Sequence, residues 1–195
     1  MEGDAEKFLV PLLAARAGFD LDSLGITICS VSGTNFVPYV KFFGPKALDI
    51  PLAVVTDYDP RAGGESLGVD RVAQQIIPAI LGDDHTPSTH PERLAIAEVN
   101  GVFLNKHTFE IDLLRCGYFN SAARAMEELC SVKAAVDRAK KRAESKTIDD
   151  EEVFLSDIAY VGKGRFAQRL AAHIAGSKCK KCPDYILKAI KHVIQ

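Results

Sequence analysis

Two aspartates that follow a short apolar run are the residues best placed to do chemistry. The run is Pro51–Thr56, and Asp57 and Asp59 come directly after it. An apolar run between a proline and a turn predicts a buried parallel strand, and residues i and i+2 of an extended chain point the same way. Two adjacent carboxylates are costly without a cation between them, and hard oxygen ligands suit Mg²⁺ or Mn²⁺. An ordinary Asp-Pro turn at a strand end is the simpler alternative.

Further acids lie at the start of the chain and after a second predicted strand. Glu2 and Glu6 are one helical turn apart, so a helix that starts near Gly3 would aim both carboxylates at one spot. Glu110 follows the predicted strand 102–105, and this order repeats that of the aspartate pair. The alternatives are acids that favour a helix N-terminus and an exposed acid on a turn.

These motifs resemble those of a known family. An early glutamate followed by a strand that ends in Asp-x-Asp resembles the Toprim domain of topoisomerases, bacterial primases and several nucleases. The segment Thr108-Phe-Glu110 resembles the "T-hydrophobic-E" element of the OLD (overcoming lysogenization defect) endonucleases, and Lys163-Gly-Arg-Phe-Ala167 resembles their late "KGRFA" element. The resemblance to OLD proteins covers nearly the whole chain, and the order of the four motifs makes it fairly specific.

The resemblance implies metal-dependent cleavage of DNA phosphodiester bonds with two Mg²⁺ or Mn²⁺ ions. It assigns five carboxylates to the metals, with Glu2 and Asp57 also central to catalysis: Glu2, Glu6, Asp57, Asp59 and Glu110. Thr108 could orient a ligand or a metal-bound water. Lys163, between two glycines that allow close backbone approach, would stabilise charge on the phosphate in the transition state.

The partners that the resemblance implies are DNA and an ATPase domain of the same family, in cis or as a separate chain. A dimer through that domain is a further expectation, and ATP would act only through it. No Gly-x-x-x-x-Gly-Lys-Ser/Thr motif occurs in the sequence. Only Met1 precedes Glu2, where Toprim domains have a core strand, so we expect the first strand to be missing and the chain to be a C-terminal fragment or a truncated copy.

Two other functions stay open at this point. One is another Toprim activity, such as topoisomerase-like strand passage or primase; a topoisomerase needs a catalytic tyrosine, and no tyrosine here has a recognisable context. The other is a Toprim module that binds DNA or a partner ATPase without cutting. The missing first strand favours this second alternative.

The pattern of predicted elements indicates an α/β fold: a Toprim-like parallel sheet flanked by helices, with an additional helical region. We expect a strand over 25–31, a helix over 67–81 and an exposed polar loop over 82–90. Helical patterns follow residue 113. The predicted division is an α/β core over 1–114, a helical region over 115–160, and C-terminal helices over 161–195 that carry the KGRFA element and pack back on the core.

Composition and charge narrow the classes of protein. The chain has 195 residues and no apolar run near the roughly 20 residues that cross a membrane. Its five cysteines form no disulfide-dense pattern and no secretory leader is visible, so we expect a cytoplasmic protein with reduced thiols. Residues 1–114 hold 8 Lys+Arg against 16 Asp+Glu, whereas residues 115–195 hold 16 against 10. The basic half could contact phosphates, or it could be a solvated surface. On the predicted helix over 131–145 we expect four basic side chains to face solvent: Lys133, Lys140, Lys141 and Arg142.

Overall fold

The computed structural model describes residues 1–61, 63–64, 66–82 and 89–194. Most of the predicted polar loop over 82–90 therefore lies outside the described residues. The regular elements, in chain order, are α1 (Asp4–Arg16), α2 (Val37–Phe43), β1 (Val54–Thr56), α3 (Leu67–Arg71), a π-helical segment (Val72–Ile76), α4 (Ile77–Leu81), α5 (His90–Val99), β2 (Val102–Leu104), α6 (Phe109–Arg115), α7 (Phe119–Leu129), α8 (Lys133–Ser145), α9 (Glu151–Val161), α10 (Lys163–Ala175) and α11 (Asp184–Val193).

The chain divides into two compact units, each assembled from separate stretches of sequence. The first unit contains Met1–Glu2, Cys29–Thr108 and Asp184–Gln195, and the second contains Gly3–Ile28 and Phe109–Pro183. The predicted boundaries at residues 114 and 160 stay a prediction. None of the described helices is long and apolar enough to cross a lipid bilayer.

A short parallel sheet lies at the centre of the first unit. In the part of the chain that the structure describes, the sheet has two strands, with Val54 opposite Val102 and Thr56 opposite Leu104. Helix α5 packs on β2, and helix α11 packs on both strands, in keeping with the burial that a parallel sheet requires. The apolar side chains of the two strands belong to a buried core. The core also takes side chains from α2, the π-helical segment, α4 and α5, and from the residue before α2: Phe36, Val40, Val54, Val72, Ile76, Ile77, Ala97 and Val102. The predicted α/β fold is confirmed.

The segment 25–31 does not form the regular strand that its sequence predicts. The backbone hydrogen bonds of its end go to the start of the chain: the Met1 amino group donates to the Cys29 carbonyl (2.8 Å), and the Val31 N–H donates to the Met1 carbonyl (2.9 Å). The Gly33 N–H continues this pairing by donating to the Glu2 carbonyl (2.9 Å), but residues 25–31 do not form a regular strand. The β-propensity of this segment therefore does not decide its structure.

The predicted helix over 67–81 changes its winding midway. Pro78 has no N–H to donate to the Gln74 carbonyl, and its ring would clash with that carbonyl in an α-helix. The turn before it widens accordingly, and the Ile77 N–H donates to the Val72 carbonyl, five residues back. The α-helical register thus ends at Arg71, and such π-turns are frequent at functional sites.

The second unit is helical. Helix α1 packs on α10, and α7 packs on both α8 and α10. The fully buried side chains of these elements are mostly aliphatic, as a helical bundle core requires: Leu9, Leu13, Met126, Leu170 and Ile174.

Helix α8 corrects part of the charge prediction. Lys133, Lys140 and Lys141 are exposed, as we expect for a basic surface. Arg142, which the sequence places with them, is buried and donates from Nε to Asp149 (2.7 Å) and from Nη1 to Asp157 (3.4 Å). A buried guanidinium needs carboxylate partners inside the protein, so Arg142 does not belong to a phosphate-binding surface.

Candidate functional site

Asp57 and Asp59 leave the carboxyl end of β1, as the strand pattern predicts. Asp59 has φ 49°, in the left-handed region that non-glycine residues rarely adopt, and it precedes Pro60, which restricts its backbone further. Two backbone hydrogen bonds hold it there: its N–H donates to the His107 carbonyl and its carbonyl accepts from the Leu67 N–H, both at 3.1 Å. Aspartate tolerates this conformation better than most residues, and such strain concentrates at functional sites.

Glu2 comes to the same strand end by an extended backbone. Its Oε1 accepts hydrogen bonds from the Thr56 hydroxyl and, at 2.9 Å, from the Asp57 N–H. Helix α1 begins only at Asp4, and Gly3 is its extended N-cap residue (φ −134°, ψ −179°). The helical-turn argument for Glu2 is therefore wrong, because Glu2 lies before the helix and is positioned by the end of β1.

Arg71 is a cation that spans two of these carboxylates. Its Nη1 donates to Glu2 Oε1 (2.7 Å) and to the Thr56 hydroxyl (2.6 Å), and its Nη2 donates to Asp59 Oδ2 (3.2 Å). The Arg71 side chain is 12% exposed, against 18% for Glu2 and 29% for Asp59. The charge–charge interactions are thus only partly screened by solvent, and the guanidinium offsets the repulsion between the two acids.

Asn105 holds the third carboxylate. It follows β2 as Asp57 follows β1, and its Nδ2 donates to Asp57 Oδ1 while its Oδ1 accepts from the Tyr58 N–H (2.8 Å). The Asn105 side chain is buried, so its orientation is fixed. Glu2, Asp57 and Asp59, the three acids at this strand end, therefore each have a carboxylate oxygen hydrogen-bonded to a protein donor.

Gly68 permits the close approach of helix α3 to the loop of Asp57. A Cβ at this position would lie 1.9 Å from the Asp57 carbonyl oxygen and 3.0 Å from the Tyr58 carbonyl oxygen. The Gly68 N–H donates to the Tyr58 carbonyl at 3.1 Å because of this proximity.

Thr108, which could orient a ligand by its sequence motif, has a buried hydroxyl oxygen. This oxygen has no hydrogen-bond partner among the described residues.

The second unit brings together two other predicted residues. Lys163 is the first residue of α10, and its Nζ lies 3.5 Å from Oε1 of the buried Glu110, which is in the first turn of α6. A cation at a helix N-terminus opposes the helix dipole, so the position of Lys163 is not explained by helix stability. Glu6 is buried in α1, and its Oε2 would be 3.3 Å from a Cβ on Gly3.

The predicted ligands thus fall into two groups: Glu2, Asp57 and Asp59 in the first unit, and Glu6, Glu110 and Lys163 in the second. That all of them form one metal site stays a prediction. Sequence reasoning missed Thr56, Gly68, Arg71 and Asn105. Asn105 had the same signal as Asp57, a polar residue directly after a strand, and Gly68 had the signal of a glycine inside a helical pattern.

The residues of the first group fit a hard cation. All three acids offer carboxylate oxygens, and the Arg71 guanidinium already stands in for a cation between two of them. No three histidine, cysteine, aspartate or glutamate side chains within the described ranges are gathered closely enough to hold a metal ion.

A parallel sheet whose first strand ends in Asp-x-Asp, with a glutamate at the same end, defines a Toprim-type protein. The family model described as overcoming lysogenization defect protein-like, TOPRIM domain, matches residues 1–59. The C-terminal region of the Burkholderia pseudomallei OLD protein is 34% identical over 99% of this chain and 94% of its own, with a TM-score of 0.87. The chain belongs to the OLD family and corresponds to the C-terminal region of these proteins.

A second solved relative gives the same result. The C-terminal region of the Xanthomonas campestris pv. campestris OLD protein is 36% identical, covers 99% of this chain and 89% of its own, and has a TM-score of 0.84. No curated protein sequence matches the chain significantly. The resemblance inferred from the four motifs is therefore confirmed over the whole chain.

Proposed function

We propose that the chain is the nuclease part of an OLD-type ATPase–nuclease and cleaves DNA phosphodiester bonds with Mg²⁺ or Mn²⁺. The observation that supports this most is the convergence of Glu2, Asp57 and Asp59 at the end of β1 in a chain of the OLD family. Two bound ions would activate a water and stabilise the leaving oxygen. The ATPase partner, in cis or as a separate chain, and a dimer formed through it belong to the same proposal, as does a cytoplasmic location.

Each residue has a role in this proposal. The metal ligands are those that the resemblance implies: Glu2, Glu6, Asp57, Asp59 and Glu110. Asn105 orients Asp57 by donating a hydrogen bond to one of its carboxylate oxygens. Lys163 donates to a phosphate oxygen as negative charge develops on it, and its exposed side chain can turn from Glu110 to a substrate.

A nicking assay on supercoiled plasmid tests the proposal. The chain should nick plasmid in Mn²⁺ or Mg²⁺ and not in EDTA, and Asp57→Asn should abolish nicking. Asp49→Asn is the control, because it removes the charge of an exposed acid in the same unit. Asp49 has the left-handed backbone (φ 51°) of Asp59, so it also serves as the control for an Asp59 variant. Equal nicking by the Asp57 variant and the parent chain would contradict the proposal.

A non-catalytic role is the second candidate. It is favoured by the Arg71 bridge and by the lack of a gathered metal-binding group in the described part of the chain. In this case the chain binds DNA or a partner ATPase through exposed lysines such as Lys133 and Lys141. Plasmid binding that weakens steeply with salt, together with no nicking in either ion, would favour this candidate.

A further inference from the structure

The position of Arg71 gives it a direct relation to metal binding. Its guanidinium is always protonated and has donors in a fixed fork, and here the fork reaches one oxygen of Glu2 and one of Asp59 at once. It is therefore the resident counter-ion of these two acids. Nothing else in the described first unit forms an ion pair with Glu2 or Asp59.

The oxygen of Glu2 that Arg71 contacts has no capacity left for a metal. Glu2 Oε1 already accepts from the Thr56 hydroxyl, the Asp57 N–H and Arg71 Nη1. A divalent ion that takes this oxygen, or that draws Glu2 and Asp59 together around itself, must replace the guanidinium. A guanidinium and an ion that compete for the same carboxylates weaken each other's binding, because each is repelled by the other's charge.

We propose that Arg71 is an internal counter-cation that occupies the acidic site without metal and must withdraw for a divalent ion to bind. This inference rests on the proposed function, because it concerns the same carboxylates. Arg71 lies at the junction between α3 and the π-helical segment, where the helix already departs from α-helical hydrogen bonding. The side chain also reaches partial solvent, so its withdrawal does not require opening of the core.

Calorimetric titration of the 195-residue chain with Mn²⁺ tests the inference. Arg71→Gln removes the charge and keeps a polar side chain of moderate length. We expect this variant to bind Mn²⁺ about 10-fold more tightly than the parent chain, because a competing unit charge is lost beside the ion. Its melting temperature should be lower in EDTA, and Mn²⁺ should raise it by more than it raises that of the parent.

Two variants control the experiment. Arg93→Gln removes an arginine of the same unit that pairs with Asp70, so it should leave Mn²⁺ affinity unchanged. Arg71→Lys keeps the charge but cannot fork to both acids, so its affinity should fall between those of the parent and Arg71→Gln. If the glutamine variant does not fold in EDTA by circular dichroism, the lysine variant carries the comparison.

The outcomes separate this inference from the proposed function. Tighter Mn²⁺ binding by the Arg71 variants supports the inference. Equal or weaker binding by them, with measurable binding by the parent, overturns it and makes Arg71 a residue that positions Glu2 and Asp59; the proposed metal site then stands. If neither the parent nor the Arg71 variants bind Mn²⁺, both the inference and the metal-dependent function are wrong.

Discussion

Replacement of Gly68 by alanine tests whether the close packing of α3 sets the position of Asp57. The added Cβ would lie 1.9 Å from the Asp57 carbonyl oxygen, whereas ordinary contacts begin at 3.4 Å. Backbone would therefore have to move by roughly 1.5 Å, since the obstacle is a main-chain carbonyl and not the end of a flexible side chain. Helix propensity acts the other way, because alanine is favoured over glycine by about 1 kcal/mol in a helix interior.

We expect the Gly68→Ala variant to be less stable by about 1–3 kcal/mol, the usual range for overpacking. A displacement of about 1 Å at a reacting centre typically costs about 10²-fold in rate, so plasmid nicking should fall by that order. Urea unfolding measures the first effect and the nicking assay measures the second.

A matched glycine is available as a control. Gly176 has φ −90°, and a Cβ built on it meets nothing within 4 Å, so Gly176→Ala should be close to neutral in both assays. If Gly68→Ala matches Gly176→Ala in stability and nicking, the loop of Asp57 adapts freely and the close approach does not position the site.

Three other changes have defined outcomes. Asn105→Leu should cost about 1–3 kcal/mol in urea unfolding because the partly buried Tyr58 N–H loses its acceptor, and an unchanged stability would show that this N–H finds another partner. Lys163→Ala should slow nicking by about 10²–10³-fold yet not weaken Mn²⁺ binding in calorimetry, since lysine has no acceptor for a metal; nicking at the parent rate would make it an ordinary helix-start residue. The hydrogen bond from Arg142 lowers the pKa of Asp149, so this pair stabilises the fold at neutral pH and the stabilisation is lost as the pH falls through that lowered pKa. Asp149→Asn should therefore be less stable than the parent chain in thermal melts at pH 7, and this difference should shrink as the pH falls through the lowered pKa of Asp149. A difference that persists in strong acid would argue against this linkage.

Sequence patterns predicted the acids of the site better than their supports. Asp57 and Asp59 follow a strand that could be predicted from its run of apolar residues, which is a property of the local sequence. Arg71 carries no such signal, because its role depends on where α3 lies relative to β1, which is a tertiary property. When the helix over 67–81 is predicted from its apolar positions, an arginine between those positions is taken to be a solvated side chain.

The errors in predicting elements also have physical causes. Residues 25–31 have strand-forming composition, yet a strand needs a partner over its length, and the pairing of this segment with Met1 consists of two hydrogen bonds. The basic pattern of α8 ranked Arg142 with its exposed neighbours, because sequence does not show that Asp149 and Asp157 lie within reach of it. Glu2 was placed on a helix that begins two residues later.

Each of the two units is built from stretches that are separated in sequence, and this limits when each unit can fold during synthesis. The first unit takes its opening residues, its sheet and helix α11 from three separate stretches, so its contacts cannot be complete until residues 184–193 have left the ribosome. The second unit likewise joins α1 to helices made more than 90 residues later. Contacts between such distant parts of a chain slow folding. The residues of the acidic strand end of β1 are therefore made early, but the sheet that carries them can pack on α11 only after this last helix has been made.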